Sequence, residues 1–301
     1  RSCGVARQTF EPFSFVPGDP LRRPGREARV PPGEQALARA GVTSQADILN
    51  TIPSIKADGG DYTVQPWDWY RYANRIKATR YDLDEDAVAQ YFQLDKVLED
   101  GVFYAAGKLY GLSFKRRTDL PVYHPDVWVY TVFDADGSEL GLFYFDPFQR
   151  PSKRGGAWMS NFVDQSETWG TKPVIYNVLN IPKAAEGEVQ LVSFDDVSTT
   201  FHEFGHALHG LSSKVNYPSL AGTAVARDYV EFPSQLLEHW LSTPEVLNQF
   251  ARHVKTGEPM PAELAAKISR AETFNEGFRT TEYLAASIID QAWHQKTAEQ
   301  L

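Results

Sequence analysis

The sequence has little cysteine, little excess positive charge and no long apolar run. Its 301 residues include one cysteine, Cys3, so no disulfide can form within the chain. No stretch reaches the roughly 18 to 20 consecutive apolar residues that cross a bilayer, and the N-terminus lacks the apolar core of a secretory signal. The net charge of -9 argues against a nucleic-acid partner, because phosphate backbones bind basic surfaces. These absences predict an acidic cytoplasmic enzyme with neither a membrane nor a nucleic acid as its partner.

The chain is predicted to change character at about residue 45. Residues 1–45 form an irregular Pro- and Arg-rich arm, because six prolines and six arginines crowd the first 33 residues without helical or strand periodicity. Residues 46–301 are predicted to form the catalytic region, with a helical part (46–118), a strand-containing part (119–185) and a second helical part (186–301). The predicted fold class is therefore mainly α with a small β-sheet.

The middle part contains four predicted strands. Val127–Phe133 and Glu139–Phe145 are rich in β-branched and aromatic residues and flank the sequence "DADGS". Asp136-Gly137 in that sequence can supply positive φ angles, so the two runs are predicted to form a hairpin. Two further runs, 154–163 and 172–181, have strand-like composition.

The sequence "SFDDVSTTFHEFGHALHG" is predicted to form one helix. Ser193-x-x-Asp196 has the form of a capping box, and Gly210 is typical of a helix end. His202 and His206 are four residues apart, which places both imidazoles on one helix face where they can bind one metal ion. Glu203 lies beside that face and could act as general base toward a water molecule at the metal.

A catalytic zinc site needs a third protein ligand and one open position. The long metzincin pattern requires Gly at position 209 and His at position 212, whereas this chain has His209 and Ser212, so that class is excluded. Glu231 is the favoured third ligand, because a glutamate between apolar neighbours needs a partner. In the alternative interpretation, Glu231 forms a capping box with Asp228 at the start of the next helix.

Other polar residues near these positions have supporting roles in the prediction. Glu238 lies seven residues after Glu231, two turns along the same helix face, and could accept a hydrogen bond from a ligand histidine. Asp228 is the second candidate for such an outer position. His209 and His239 are predicted to pack or form hydrogen bonds rather than bind the metal.

Three separated stretches, "KRGGAWMSNFVDQ", "FHEFGHALHG" and "DYVEFPSQLLEHW", carry a family resemblance. Together they resemble the thimet oligopeptidase and peptidyl-dipeptidase (dipeptidyl carboxypeptidase) family of zinc metallopeptidases, over about residues 60–301. By position, the resemblance implies one zinc ion bound by His202, His206 and Glu231, with Glu203 as the catalytic glutamate. It also implies oligopeptide substrates and a helical two-lobe fold with a small sheet near the zinc.

In such peptidases an edge strand pairs with the substrate backbone. The resemblance places this role near Gly155, Gly156 and Ala157, where small residues would allow a close approach. Ordinary glycine flexibility before a strand is the alternative interpretation of these three residues.

The resemblance also implies that the chain is truncated at both ends. Family members continue beyond the position that matches Leu301 with a Gly- and Tyr-rich segment that binds substrate and stabilises the oxyanion. The chain alone is therefore expected to be weakly active or inactive, because one missing oxyanion donor costs roughly a hundred- to thousandfold in rate. A non-catalytic structural remnant that only binds metal is the alternative, and the sequence leaves exo- versus endopeptidase selectivity and oligomeric state open.

Overall fold

The computed structural model describes residues 69–297 and residue 300, so the predicted arm at 1–45 lies outside the described residues. The described residues belong to two compact units. The larger unit contains Glu85–Pro261, and the smaller unit contains the described residues on either side of that range. Among residues 69–297, no helix combines the length and apolarity that a bilayer crossing requires.

Helices dominate the described residues of both units, as the composition and periodicity predicted. A π-helical turn, Val97–Val102, connects α3 to α4, and a short 3-10 turn, Pro218–Leu220, lies between α5 and α6. The helices in chain order are α1 (Trp69–Tyr81), α2 (Glu85–Ala89), α3 (Leu94–Lys96), α4 (Phe103–Tyr110), α5 (Phe194–Leu211), α6 (Phe232–Leu241), α7 (Pro244–Phe250), α8 (Ala262–Glu272) and α9 (Glu276–His294).

The larger unit contains one five-stranded sheet with the order β1-β2-β3-β5-β4. Only the β3–β5 pair is parallel. The strands are β1 (Ser113–Arg117), β2 (Trp128–Phe133), β3 (Glu139–Phe148), β4 (Trp158–Val163) and β5 (Val174–Ile181). The predicted hairpin is confirmed as β2 and β3, and Gly137 in its turn has the positive φ of 82° that the turn requires.

Two strand predictions need correction. β1 lies within 46–118, which was predicted to be helical; its sequence "SFKRR" is mostly polar because the strand is at the sheet edge and largely exposed. The strand predicted at 154–163 begins only at Trp158, so Gly155, Gly156 and Ala157 lie in the loop before β4 rather than in the strand. Gly156 has a φ of 86°, a conformation outside the strand region.

Helix α5 packs on the sheet and is the centre of the larger unit. Its predicted capping box is confirmed, because the Ser193 side chain accepts from the Asp196 backbone and Asp196 accepts from the Ser193 backbone. The predicted end at Gly210 is wrong by one residue. A Cβ at Gly210 would lie 2.7 Å from Ile175 Cδ1 and 2.8 Å from Met159 Cε, so this glycine permits close packing on β5 and β4.

The core of the larger unit contains many aromatic rings. Phe204 of α5 packs against Phe143 of β3 at a ring-centroid distance of 5.0 Å and against Phe103 of α4 at 5.5 Å. All three side chains are buried. These contacts fix α5 against the sheet and α4, and thereby fix the side chains on the opposite face of α5. In the smaller unit, Ala73 of α1 and Phe274 form a separate small core.

Candidate metal centre

The two predicted histidine ligands lie together on α5. The rings of His202 and His206 are 4.9 Å apart between centroids, because residues four apart on a helix occupy adjacent turns of one face. His206 is buried, and His202 is partly exposed. Both Nε2 atoms point to the same carboxylate, that of Glu231.

Glu231 is positioned by the start of α6. It is the N-cap residue of that helix, and its Oε2 lies 3.2 Å from His202 Nε2 and 3.0 Å from His206 Nε2. The capping-box alternative is wrong, since the helix start has no side-chain cap hydrogen bond. Asp228 is exposed and, within the described part of the chain, makes no hydrogen bond to this centre. Pro233 occupies the first turn of α6, where a missing N–H costs nothing.

The three donor atoms fit a small divalent cation. The two Nε2 atoms and the Glu231 carboxylate oxygen all lie within 4.8 Å of one another. Donors held tetrahedrally at about 2.0 to 2.1 Å from zinc would be about 3.3 Å apart, close to the two spacings found between Glu231 and the histidines. Two imidazoles and one carboxylate are also a donor set that leaves a fourth position for a water molecule or substrate.

The outer nitrogen atoms of the two histidines have different partners. Nδ1 of His202 lies 2.5 Å from Oε1 of Glu238, so Glu238 occupies the outer position that the sequence predicted. Burial opposes protonation of His202, but Glu238 and the neighbouring carboxylates outweigh burial and raise the pKa of its imidazole. Nδ1 of His206 is buried without a hydrogen-bond partner among the described residues, and burial lowers the pKa of that imidazole.

Glu203 lies on the side of α5 that faces β4. The backbone N–H of Met159 in β4 lies near its carboxylate and opposes the rise in its pKa, while Oε2 is buried without a partner in the described part of the structure. Burial raises the pKa of Glu203 to about 7. A carboxylate with a pKa near neutrality can both accept and return a proton at physiological pH.

The remaining predicted residues lie outside the donor group. His209 packs near Tyr229 at a ring-centroid distance of 6.2 Å, and His239 is exposed on α6, so neither belongs to the group. Gly155, Gly156 and Ala157 precede β4, and a Cβ at Gly155 would have no heavy atom within 4 Å. The strand itself, through Met159, is what contacts Glu203.

Three contributors to the site were not found from the sequence. The backbone N–H of Met159 lies near Glu203, a proximity that no side-chain pattern can reveal. Gly205 and Ser234 lie where α5 and α6 touch, and they were overlooked because their importance depends on a contact between two helices. The position of Gly205 between the two histidines was the only available signal.

Comparison with known proteins finds similar peptidases. The model of peptidase family M3 matches residues 35–301. The dipeptidyl carboxypeptidase of Salmonella typhimurium is 49% identical over 274 residues, which are 90% of this chain and 39% of that protein. The dipeptidyl carboxypeptidase of Escherichia coli is 49% identical over 251 residues, 83% of this chain and 37% of that protein. Oligopeptidase A of Salmonella typhimurium is 35% identical over 260 residues, 85% of this chain and 38% of that protein. The chain thus spans less than two fifths of the length of these curated relatives.

Proposed function

This chain belongs to peptidase family M3, and from that premise we propose that it carries the zinc centre of an oligopeptide-hydrolysing metallopeptidase. His202, His206 and Glu231 would bind one zinc ion, and Glu203 would act as the general base. The observation that carries this proposal is the convergence of both Nε2 atoms on one oxygen of Glu231, at 3.2 and 3.0 Å. Two imidazole nitrogens that converge on one carboxylate oxygen support a metal centre, because an isolated ion pair would need only one of them.

When bound, zinc would polarise a water molecule and the scissile carbonyl group. Glu203 accepts the proton that the attacking water loses and then donates it to the amine that leaves. Its pKa of about 7 in the metal-free site is near the range in which a carboxyl group can both take and release a proton. Glu238, bonded to Nδ1 of His202, keeps the Nε2 atom of that ring directed at the metal position.

The substrate would lie along β4. This strand is an edge of the described sheet and holds Met159, which contacts Glu203, so a peptide paired to its outer side would run past the general base. The open loop at Gly155, Gly156 and Ala157 would let the peptide approach the start of the strand. The higher identity to the two dipeptidyl carboxypeptidases favours release of C-terminal dipeptides over internal cleavage.

Two predictions about organisation remain proposals. The first is a catalytic region that begins near residue 46, after a separate arm at 1–45. The second is a cytoplasmic location, predicted from the low cysteine content and the lack of a signal sequence.

The test measures zinc content and oligopeptide cleavage in the same preparations. We expect about one zinc per chain in the wild type and in Glu203→Gln, and loss of zinc in His202→Ala, because only the latter removes a ligand. Cleavage of a quenched oligopeptide should fall by about 10² to 10⁴ in Glu203→Gln, and mass spectrometry of the products would identify dipeptides. His239→Ala, which changes an exposed histidine of α6, is the matched control and should keep its zinc.

The outcomes separate the candidate functions. A wild-type chain that binds no zinc would contradict the proposal. Stoichiometric zinc with equal, negligible cleavage by the wild type and Glu203→Gln would favour the non-catalytic remnant.

A further inference from the structure

Ser234 contacts the oxygen of Glu231 that faces the histidines. The Ser234 side chain is 0% exposed, and its Oγ lies 2.9 Å from Glu231 Oε2. The backbone oxygen of Glu231 is also 2.9 Å away, but it already accepts from the backbone N–H of Gln235 at 3.0 Å. The hydroxyl has one proton to donate, and a carboxylate is the stronger acceptor. The hydroxyl proton is therefore assigned to Oε2.

Gly205 explains how Ser234 reaches this position. A Cβ at residue 205 would lie 2.5 Å from Ser234 Cα and 2.7 Å from the backbone oxygen of Pro233. Both atoms are backbone atoms of the first turn of α6, so they cannot move aside without moving the helix start. Any side chain larger than that of glycine at position 205 would displace the first turn of α6, which follows Glu231 directly.

We propose that Ser234 is a positioning residue for the metal centre: its hydroxyl holds Oε2 of Glu231 toward His202 and His206, and Gly205 permits the helix contact that brings the hydroxyl there. The inference rests on the proposed zinc centre. A ligand carboxylate that is already oriented loses less freedom when the metal binds, and hydrogen bonds to ligands are worth about 10- to 100-fold in metal affinity. An ordinary helix-start serine, by contrast, would contribute only to folding.

A double-mutant cycle on the full chain separates these two roles. The dissociation constant for zinc is measured by competition with a chelating dye in the wild type, Ser234→Ala, Glu231→Ala and the double variant. We expect Ser234→Ala to weaken zinc binding about 10- to 100-fold when Glu231 is present, and to have no further effect in the Glu231→Ala background. Circular dichroism and the thermal midpoint of chelator-treated protein confirm that each variant is folded.

Ser213→Ala is the matched control. Its hydroxyl is half-buried and is likewise hydrogen-bonded, since it donates to the backbone oxygen of His209 and accepts from the backbone N–H of Gly222, but it touches no predicted ligand. Its zinc affinity should stay at the wild-type value. Unchanged affinity in Ser234→Ala, or an equal loss in both backgrounds, would overturn this inference alone. A wild-type chain without zinc affinity would overturn the proposed function and the inference with it.

Discussion

The larger unit buries two carboxylates, Asp146 and Glu203, and their surroundings differ. Asp146 is 1% exposed and Glu203 is 5% exposed. Arg150 donates to both oxygens of Asp146 at 2.7 and 2.6 Å, Lys153 Nζ lies 2.9 Å from Oδ1, and the Tyr123 hydroxyl donates to Oδ2 at 3.0 Å. The Glu203 carboxylate has the backbone N–H of Met159 nearby, and within the described residues its Oε2 has no partner.

The pKa values of these two carboxyl groups move in opposite directions. Burial alone would raise the pKa of Asp146, but its two cationic partners outweigh burial and hold the pKa below its ordinary value. Burial raises the pKa of Glu203 to about 7, and the nearby Glu231 adds to the effect. Both side chains are almost inaccessible to solvent, yet one is held as an anion and the other has a pKa near neutrality. The cationic partners of Asp146 account for much of this difference, and a buried carboxylate without such partners is a candidate for proton transfer.

The largest effect is expected when the ion pairs of Asp146 with Arg150 and Lys153 are broken. Asp146→Asn leaves Lys153 and Arg150 beside a neutral amide, and removing one partner from a buried ion pair costs about 3 to 5 kcal/mol. The free energy of unfolding from urea denaturation should fall by that amount, while zinc affinity should not change. Asp119→Asn is the control, because that exposed residue pairs with Arg117 at the surface and should change stability little. If Asp146→Asn is as stable as the wild type, the ion pairs around Asp146 do not stabilise the fold, and the contrast with Glu203 fails.

The sequence predicts the candidate metal centre better than it predicts the ion-pair cluster around Asp146. The histidines are four residues apart, so the helix period itself brings their rings together, and Glu231 was identified by its apolar neighbours and by the family resemblance. The hairpin was also predictable, because its turn residues lie next to its strands. Such local patterns encode geometry without knowledge of the rest of the fold.

Contacts between distant segments could not be predicted in the same way. Lys153 also donates to the backbone oxygens of Phe148 and Leu179, on two strands whose parallel pairing is not apparent from the sequence. Gly210 resembled a helix end, although its role is to make room for Ile175 and Met159. In each case the residue type is explained by a neighbour in space, which a single sequence does not identify.

An intermediate effect is expected from Glu203, the buried carboxylate whose Oε2 has no hydrogen-bond partner among the described residues. The pKa of Glu203 in the folded state, about 7, lies above the ordinary value of 4.5. The folded state therefore binds the proton more tightly, so this group destabilises the metal-free protein increasingly as pH rises from about 4.5 through about 7. Glu203→Gln removes that penalty and should raise the free energy of unfolding at pH 8 by on the order of 3 kcal/mol, with little change at pH 4.5.

Urea denaturation in chelator at both pH values measures this difference. Glu186→Gln, a change at an exposed glutamate, corrects for the general effect of losing one carboxyl group and should show no such pH-dependent gain. An equal effect of Glu203→Gln at the two pH values would mean that the folded protein does not perturb this carboxyl group. The contrast with Asp146 would then be lost.

The smallest effect concerns two asparagines of β5, one with hydrogen-bond partners and one without any among the described residues. Asn177 is 0% exposed and, within the described residues, neither its Oδ1 nor its Nδ2 has a hydrogen-bond partner, whereas Asn180 donates to the backbone oxygens of Arg154 and Gly156 at 2.7 Å each. Asn177→Leu should therefore raise the free energy of unfolding by about 1 kcal/mol, and Asn180→Leu should lower it by about the same amount. Asn177 stands opposite Met159, whose N–H reaches Glu203. If Asn177→Leu instead loses stability and binds zinc more weakly, its amide contributes to the metal centre. The polar groups that support Glu203 would then include a residue of β5 as well as those of α5.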